Sequence, residues 1–260
     1  MATLPVMPVV RAAFNRVFNN PNQAFTVGLP YFVLLFAVGV IAVLTQPDDP
    51  MAAGGGAVAL QFVLTIVQLL IYVAMAVAWH RVTLLGFSVD KGLFRAGFGS
   101  RELRFLGYTI LIYLPIIAAA VIGGILSAAA GAAIGVIVGL AIFCVGVFVL
   151  LRWSMVLPAT AADHPTSLKT SWQQTEGNFG PMLGISVIIA VAIFVAVFIV
   201  SFVIGLIFGV ATGGLGTVGA IVLQLLLIPL QLLGTFVAIS GLSYIYRYLS
   251  NHPDPLAVTD

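Results

Sequence analysis

The chain has 260 residues, of which 62% are hydrophobic and only 7% are charged, and its formal net charge is +2. A water-soluble domain carries about 25% charged residues because its surface faces water, so this composition, with a mean hydropathy of +1.19, excludes a soluble protein. The small positive charge is too weak to indicate a nucleic-acid partner, and it suits contact with an anionic membrane surface instead.

Uncharged stretches give the number of membrane crossings. A helix rises about 1.5 Å per residue and the hydrocarbon core is about 30 Å thick, so one crossing takes about 20 residues. Two stretches, 105–151 and 181–246, are longer than one crossing and must turn near 127–131 and 212–216. We predict a single all-α domain, a polytopic membrane bundle of six transmembrane helices in three hairpins. The predicted spans are 24–45, 57–79, 105–127, 132–151, 182–208 and 218–246.

The basic residues predict an orientation. All ten Lys and Arg residues fall in segments that this threading places on one side of the membrane. Loops rich in Lys and Arg stay in the cytoplasm, so we expect both termini and the loops 80–104 and 152–180 to be cytoplasmic. Asp48 and Asp49 then face outward. The expected location is a bacterial cytoplasmic (inner) membrane.

Three of the cytoplasmic segments share a layout: a short amphipathic stretch, a break rich in Gly, Asn or Ser, and an odd-numbered span. They carry Phe14, Phe94 and Trp172 at a spacing of about 80 residues, which indicates an internal repeat. In the first segment Val10, Phe14, Val17 and Phe18 share one helical face. We therefore predict amphipathic helices that lie in the cytoplasmic interface.

Each even-numbered span ends in an aromatic residue beside an arginine, namely Arg81, Arg152 and Arg247. One interpretation is that these arginines converge beneath the bundle and bind an anionic lipid head group, because a guanidinium matches the geometry of a phosphate. The other is that each extends to the interface or pairs with a carboxylate. The candidate carboxylates are Asp90, Glu102, Asp163 and Glu176.

Residues 152–159 and 171–179 contain an Arg-Trp pair, a Pro-Ala pair, a Ser-Trp pair and a Thr-x-Gly-Asn-Phe turn. These motifs resemble a bacterial superfamily of six-span integral membrane proteins that includes the membrane domain of some glycerophosphodiester phosphodiesterases. Residues 79–86 look like the exit of its second span. The resemblance implies a six-span fold and a membrane location. It implies no catalytic residue, since the phosphodiesterase itself resides in a separate soluble barrel domain.

The residues give little support for catalysis. The three histidines are far apart in sequence, and neither an HExxH nor a CxxC motif occurs, so we expect no catalytic residue, no metal and no cofactor. Every Asp and Glu lies outside the predicted spans, which argues against a proton relay. The lone Cys144 is expected to pack inside span 4. An enzyme acting on lipid head groups would have to use His80, Asp163, His164 and Glu176.

The predicted spans also carry polar and small residues in helical register. Polar side chains in lipid seek partners on neighbouring helices, so the polar stripe is interpreted either as interhelical hydrogen bonds or as the lining of a polar groove. It consists of Gln61, Thr65, Gln68 and Tyr72 in span 2 and of Gln224, Gln231 and Thr235 in span 6. Glycines at positions 131, 135 and 139, and at 205 and 209, predict internal packing faces.

These observations leave several functions open. The leading hypothesis is a non-enzymatic inner-membrane protein that acts as a scaffold, an accessory subunit or an envelope-maintenance module. The alternative is a transporter or lipid-translocating protein with a polar groove between spans 2 and 6, and a head-group enzyme is the third class. Membrane lipids, including anionic phospholipid, are the expected partners, and a membrane-protein partner is left open. A hydrated groove favours transport, whereas a closed apolar bundle favours the module.

Overall fold

A computed structural model of the chain describes residues 3–46, 54–86, 99–164, 166–212, 216–251 and 256, with the side chains of 209–212 excepted. All regular structure in these ranges is helical, and six helical stretches are long and apolar enough to cross a membrane. The predicted all-α polytopic bundle is confirmed. The helices are α1 (Val6–Phe18), α2 (Pro21–Leu44), α3 (Gly55–Leu85), α4 (Ser100–Ala130), α5 (Ala132–Trp153), α6 (Val156–Ala161), α7 (Leu168–Gln174), α8 (Phe179–Thr212) and α9 (Gly216–Leu249).

Each predicted span corresponds to one of the long helices, which run a few residues further at most ends. The difference is largest where charged residues flank a span, as at the end of α3 and at the start of α4. The prediction ended these spans near the charges. The helices continue because long Arg side chains reach toward the interface while their backbones stay hydrogen-bonded. α3 ends at Gly86, whose φ of 62° is the left-handed conformation that favours glycine.

Contacts between helices fix their directions. Trp79 and His80, near the end of α3, hydrogen-bond to Ser240 and Ser243, near the end of α9, so α3 and α9 run the same way. The hydroxyl of Tyr248 donates to the carbonyl of Thr3 at 3.4 Å. The N-terminal segment therefore meets the end of α9, and we call this the terminal end of the bundle. The far end is called the opposite end.

The helices are not equally buried. α9 packs against α1, α2, α3 and α8 and lies at the centre of the bundle. α8 is the most exposed span, and Phe194, Phe198 and Phe202 stack along its outer face with more than half of each side chain exposed. In a membrane such a face contacts acyl chains, which are as apolar as the side chains themselves.

α4 and α5 form the closest helix pair, and glycine is the reason. They turn at Gly131, whose φ is 95°. A Cβ at Gly135 would overlap the Oγ of Ser127, and one at Gly139 would lie 3.3 Å from the Cα of Gly123. The predicted packing face of this hairpin is confirmed at Gly135 and Gly139, whereas Gly131 forms the turn and faces open space. The prediction is wrong for Gly205, which faces open space because α8 buries little of its surface.

Two of the three predicted amphipathic segments are helices at the terminal end, α1 and α7. The third, near Phe94, lies outside the described residues. α1 buries Val10, Ala13 and Val17 against the bundle, but Phe18, predicted on that face, is 57% exposed. The prediction of Phe18 fails because α1 has a second apolar side, which is free to face lipid once the first is packed against protein.

Candidate functional site

A cleft opens between α2, α3 and α9. Its volume is ≈ 230 Å³, room for several waters at about 30 Å³ each. Leu35, Leu227 and Ile228 form part of its apolar lining. The polar lining comes from Gln68, Tyr72, Gln224 and Gln231, all half-buried. The structure thus brings together four of the seven side chains of the polar stripe that the sequence predicted in spans 2 and 6.

The polar groups of the cleft are largely unused by the protein. Within the part of the chain that the structure describes, the side chains of Gln68, Tyr72 and Gln231 make no hydrogen bond to the protein. Gln224 donates from Nε2 to the carbonyl of Gly39 at 3.1 Å, while its Oε1 is buried without a hydrogen-bond partner. A buried polar group left unsatisfied costs about 1–3 kcal/mol. These groups are therefore positioned for water or for a polar ligand inside the cleft.

Gly39 allows the third wall of the cleft to form. A Cβ at this position would overlap the Oε1 of Gln224, so only glycine lets that side chain reach the backbone of α2. Gly28, eleven residues earlier on the same helical face, packs against the ring of Phe236 in the same way. The sequence analysis did not predict that α2 forms a wall of the cleft. The spacing of these two glycines was the available signal.

Gln61 does not line the cleft. Its Nε2 donates to the carbonyl of Ala42 at 3.2 Å and to the Oγ1 of Thr45 at 3.3 Å, so it links α3 to α2 near the opposite end. Thr65 donates to the carbonyl of Gln61 within α3 itself. The predicted stripe on α3 therefore has two roles. Gln61 bonds a neighbouring helix near the opposite end, and Gln68 and Tyr72 line the cleft closer to the terminal end.

The cleft carries no charge. Apart from the phenol of Tyr72, none of its lining residues is ionisable. An ion brought to this depth in a membrane would meet neither a counter-charge nor bulk water, and its desolvation would cost several kcal/mol. Chemically the cleft can offer amide and phenol hydrogen bonds beside an apolar wall.

At the terminal end Arg81 is engaged in ion pairing. It donates from Nη1 to the carbonyl of Ala161 at 2.8 Å and to Oδ2 of Asp163 at 2.7 Å. Arg101 contacts the same carboxylate in two-point fashion, with distances of 2.7 and 2.8 Å. The hydrogen bonds from Arg101 and then Arg81 hold the pKa of Asp163 below its ordinary value. This network joins α3 and α4 to the segment after α6.

The other two predicted arginines are buried. The guanidinium of Arg152 lies over the indole of Trp172, with 4.6 Å between Cζ and the ring centroid. Arg247 is 4% exposed. Sequence reasoning missed a fourth, Arg16, which is 1% exposed and donates to the carbonyl of Val82 at 3.1 Å. A cation is favourable there because that carbonyl belongs to the last turn of α3.

Beside Arg16 lies the most buried aromatic pair of the bundle. Trp79 stacks on Phe236 with 4.1 Å between ring centroids. Its indole N–H donates to the carbonyl of Phe236 at 3.0 Å and to Ser240 Oγ at 2.9 Å. The guanidinium of Arg16 lies 5.7 Å from the same indole. This cluster joins α1, α3 and α9 on the side of the cleft that faces the terminal end.

Several residues of the quoted motifs have structural roles. The hydroxyls of Ser171 and Thr175 donate to the carbonyl of Arg152 at 2.7 and 3.3 Å, which satisfies the end of α5. Gly177 has a φ of 75°, and the next residue, Asn178, accepts from the backbone N–H of Leu4 at 2.9 Å. The motif thus connects α5, α7 and α8 with the N-terminal segment.

The residues considered for an enzyme make separate contacts with the protein. His80 is buried and its Nδ1 hydrogen-bonds Ser243 Oγ at 2.8 Å, whereas His164 bonds the hydroxyl of Tyr246 at 3.0 Å. Glu176 is exposed. Among the described residues no three His, Cys, Asp or Glu side chains lie close enough to bind a metal. The packing predicted for Cys144 is wrong, because α5 buries its glycine side and leaves this thiol exposed.

Comparison of the chain with protein-family models, with curated proteins and with solved structures finds no match in any of the three. The superfamily resemblance of the motifs stays a prediction. The function is therefore argued from the geometry of the cleft and of the terminal end.

Proposed function

We propose that this chain is a non-enzymatic multi-pass membrane protein that holds or moves an uncharged amphipathic molecule by taking its polar head group into the cleft. The observation that carries the proposal is the set of unused hydrogen-bonding groups on Gln68, Tyr72 and Gln231 around an uncharged cavity. This proposal corresponds to the transporter or lipid-translocating alternative that the sequence analysis left open. The groove differs in that α2 also bounds it.

The chemistry of the lining supports an uncharged head group. Amide groups both donate and accept hydrogen bonds, which suits hydroxyl, amide or carbonyl groups of a ligand. A charged head group would lose its hydration without gaining a counter-charge. The apolar residues of the same cleft, such as Leu227 and Ile228, suit the hydrocarbon part of an amphipathic molecule.

A second candidate is a scaffold, accessory subunit or envelope-maintenance module. It is favoured by the hydrogen bonds that Gln61 and Gln224 make to the backbone of α2, because these show polar side chains acting between helices. In both cases we place the protein in a bacterial inner membrane with its terminal end in the cytoplasm, on the basis of the cation distribution.

The first test concerns hydration of the cleft. In a Cys144→Ala background, Gln68→Cys and Gln231→Cys are expected to react with a small, uncharged, water-soluble thiol reagent in permeabilised membranes. Leu69→Cys is the matched control, since Leu69 follows Gln68 at the same depth and is 39% exposed on the lipid side. The cleft cysteines should react at least about tenfold faster, because the reactive thiolate does not form in lipid.

Equal rates at Gln68→Cys and Leu69→Cys would contradict a hydrated cleft and leave the module as the better account. A charged, membrane-impermeant thiol reagent, added to intact cells, tests the orientation. Gln46→Cys, at the opposite end, should be labelled from outside, and Asn251→Cys, at the terminal end, should be protected. The reverse pattern would overturn the cytoplasmic placement of the termini.

The second test concerns the ligand. Lipids that co-purify with the wild-type protein are compared by mass spectrometry with those of a Gln68→Leu, Gln231→Leu double variant. We expect an uncharged amphiphile to be enriched with the wild-type protein. The amount that co-purifies with the double variant should be lower by about tenfold or more, since two hydrogen bonds of about 1 kcal/mol each are removed. Thr65→Val is the control, because that hydroxyl bonds its own helix outside the cleft. Identical lipid profiles in all three proteins would speak against the proposal.

A further inference from the structure

We infer that Arg152 and Trp172 form a second site at the terminal end, independent of the cleft, that binds the phosphate group of an anionic lipid. The two residues belong to α5 and α7. The guanidinium of Arg152 lies over the indole of Trp172, with 4.6 Å between Cζ and the ring centroid. Cation–π contact covers one face of the guanidinium and leaves its edge for a ligand.

Among the residues that the structure describes, no carboxylate pairs with Arg152. The residue is 7% exposed, and its Nε is buried without a hydrogen-bond partner. In the described ranges the ion pairs of arginine involve Arg81 and Arg101, and no guanidinium nitrogen of Arg152 donates a hydrogen bond. A buried cation without an anion is strongly destabilising. The site is therefore built for an anion supplied from outside the chain.

The position of the site favours phosphate. Arg152 occupies the last turn of α5, at the end of the membrane-spanning stretch, and Trp172 is 36% exposed, which is typical of the aromatic belt near lipid head groups. Lys169 lies one turn before Trp172 on α7, is exposed, and adds positive charge to the same surface. Guanidinium groups bind phosphate oxygens in two-point contacts.

The site is also held in place before any ligand arrives. Ser171 and Thr175 donate to the carbonyl of Arg152, so α7 is fixed to the end of α5. Phe148 meets the indole of Trp172 edge-on, with 5.6 Å between ring centroids. Preorganisation of this kind lowers the entropy cost of binding.

The test measures lipid binding to the purified protein by native mass spectrometry and by the lipid-induced shift of Tm in detergent. Phosphatidylglycerol should bind the wild type and raise its Tm more than phosphatidylcholine does. Arg152→Gln should weaken phosphatidylglycerol binding by about tenfold or more, because charge-assisted hydrogen bonds are lost. Arg152→Lys should restore only part of it, since lysine lacks the planar fork. Arg11→Gln, which removes an exposed cation of α1, should bind as the wild type does.

Inorganic phosphate, added at matched concentration, separates the two sources of the anion. A shift with phosphatidylglycerol alone supports the lipid, whereas an equal, Arg152-dependent shift with inorganic phosphate would overturn the lipid as ligand. Full phosphatidylglycerol binding by Arg152→Gln would overturn the site. Should that variant fail to fold, Trp172→Leu replaces it and must weaken binding. A wild type that does not distinguish the two lipids would overturn the inference without any variant.

Discussion

Trp79→Ala is expected to lower the free energy of unfolding by about 3–5 kcal/mol, the range for removal of a large aromatic residue from a packed interior. Trp79 is completely buried, stacks on Phe236 and donates to two acceptors on α9. In a bilayer, transfer of apolar surface out of water contributes little to helix association. The cost therefore comes from lost packing, from a cavity and from acceptors left without a donor.

The measurement is thermal unfolding in detergent, followed by size-exclusion chromatography of a fluorescent fusion. Trp79→Phe keeps the ring stack and loses the N–H, so it should lie between the wild type and alanine. Phe194→Ala is the control, since this ring is 66% exposed on the lipid face of α8. If Trp79→Ala unfolds at the same temperature as Phe194→Ala, the cluster at the terminal end does not stabilise the bundle.

Gly135→Leu is expected to separate α4 from α5, with a loss of stability at or above the usual 1–3 kcal/mol for overpacking. The reason is that even a Cβ at this position would overlap Ser127 and the carbonyl of Gly123, and a backbone carbonyl cannot turn aside as a long side chain can. Gly124→Leu is the matched control, because Gly124 lies on the same hairpin and faces open space.

The loss can be measured as resistance of the purified protein to unfolding by sodium dodecyl sulfate. Gly124→Leu should leave that resistance unchanged or raise it, since leucine favours a helix by about 1 kcal/mol over glycine. Similar resistance of the two leucine variants would show that the contact between α4 and α5 is looser than the structure has it.

The fold could be predicted because one physical constraint dominates it. In lipid a spanning segment must satisfy its own backbone hydrogen bonds, so the length of an uncharged stretch fixes the number of helices. The turn at Gly131 followed from the same arithmetic. The positions of helix ends were less predictable, because a side chain such as Arg81 stays on the helix and reaches an acid on another segment.

The candidate site was predictable in part. The stripe on α3 and α9 identified Gln68, Tyr72, Gln224 and Gln231 from helical spacing alone. The spacing of residues along one helix does not show which part of a polar stripe lies close to another helix. Gln61 bonds the backbone of α2 because α3 and α2 approach each other at that point. Likewise Arg16 belongs to a segment expected at the surface, and its burial depends on the carbonyl of Val82, 66 residues away.

The attachments of α1 bear on how the protein is assembled. α1 is made before α8 and α9, yet Leu4, two residues ahead of it, is held by Asn178, and its inner face packs against both of those later helices. Until the last hairpin has been inserted, the ribosome-bound chain lacks most of the docking surface for this helix, although the end of α3 that accepts from Arg16 is already present. Its second apolar side, with Met7 and Phe18 about half exposed, can keep it at the lipid surface during that interval. Docking of α1 is thus a closing step of biogenesis that depends on the final third of the chain.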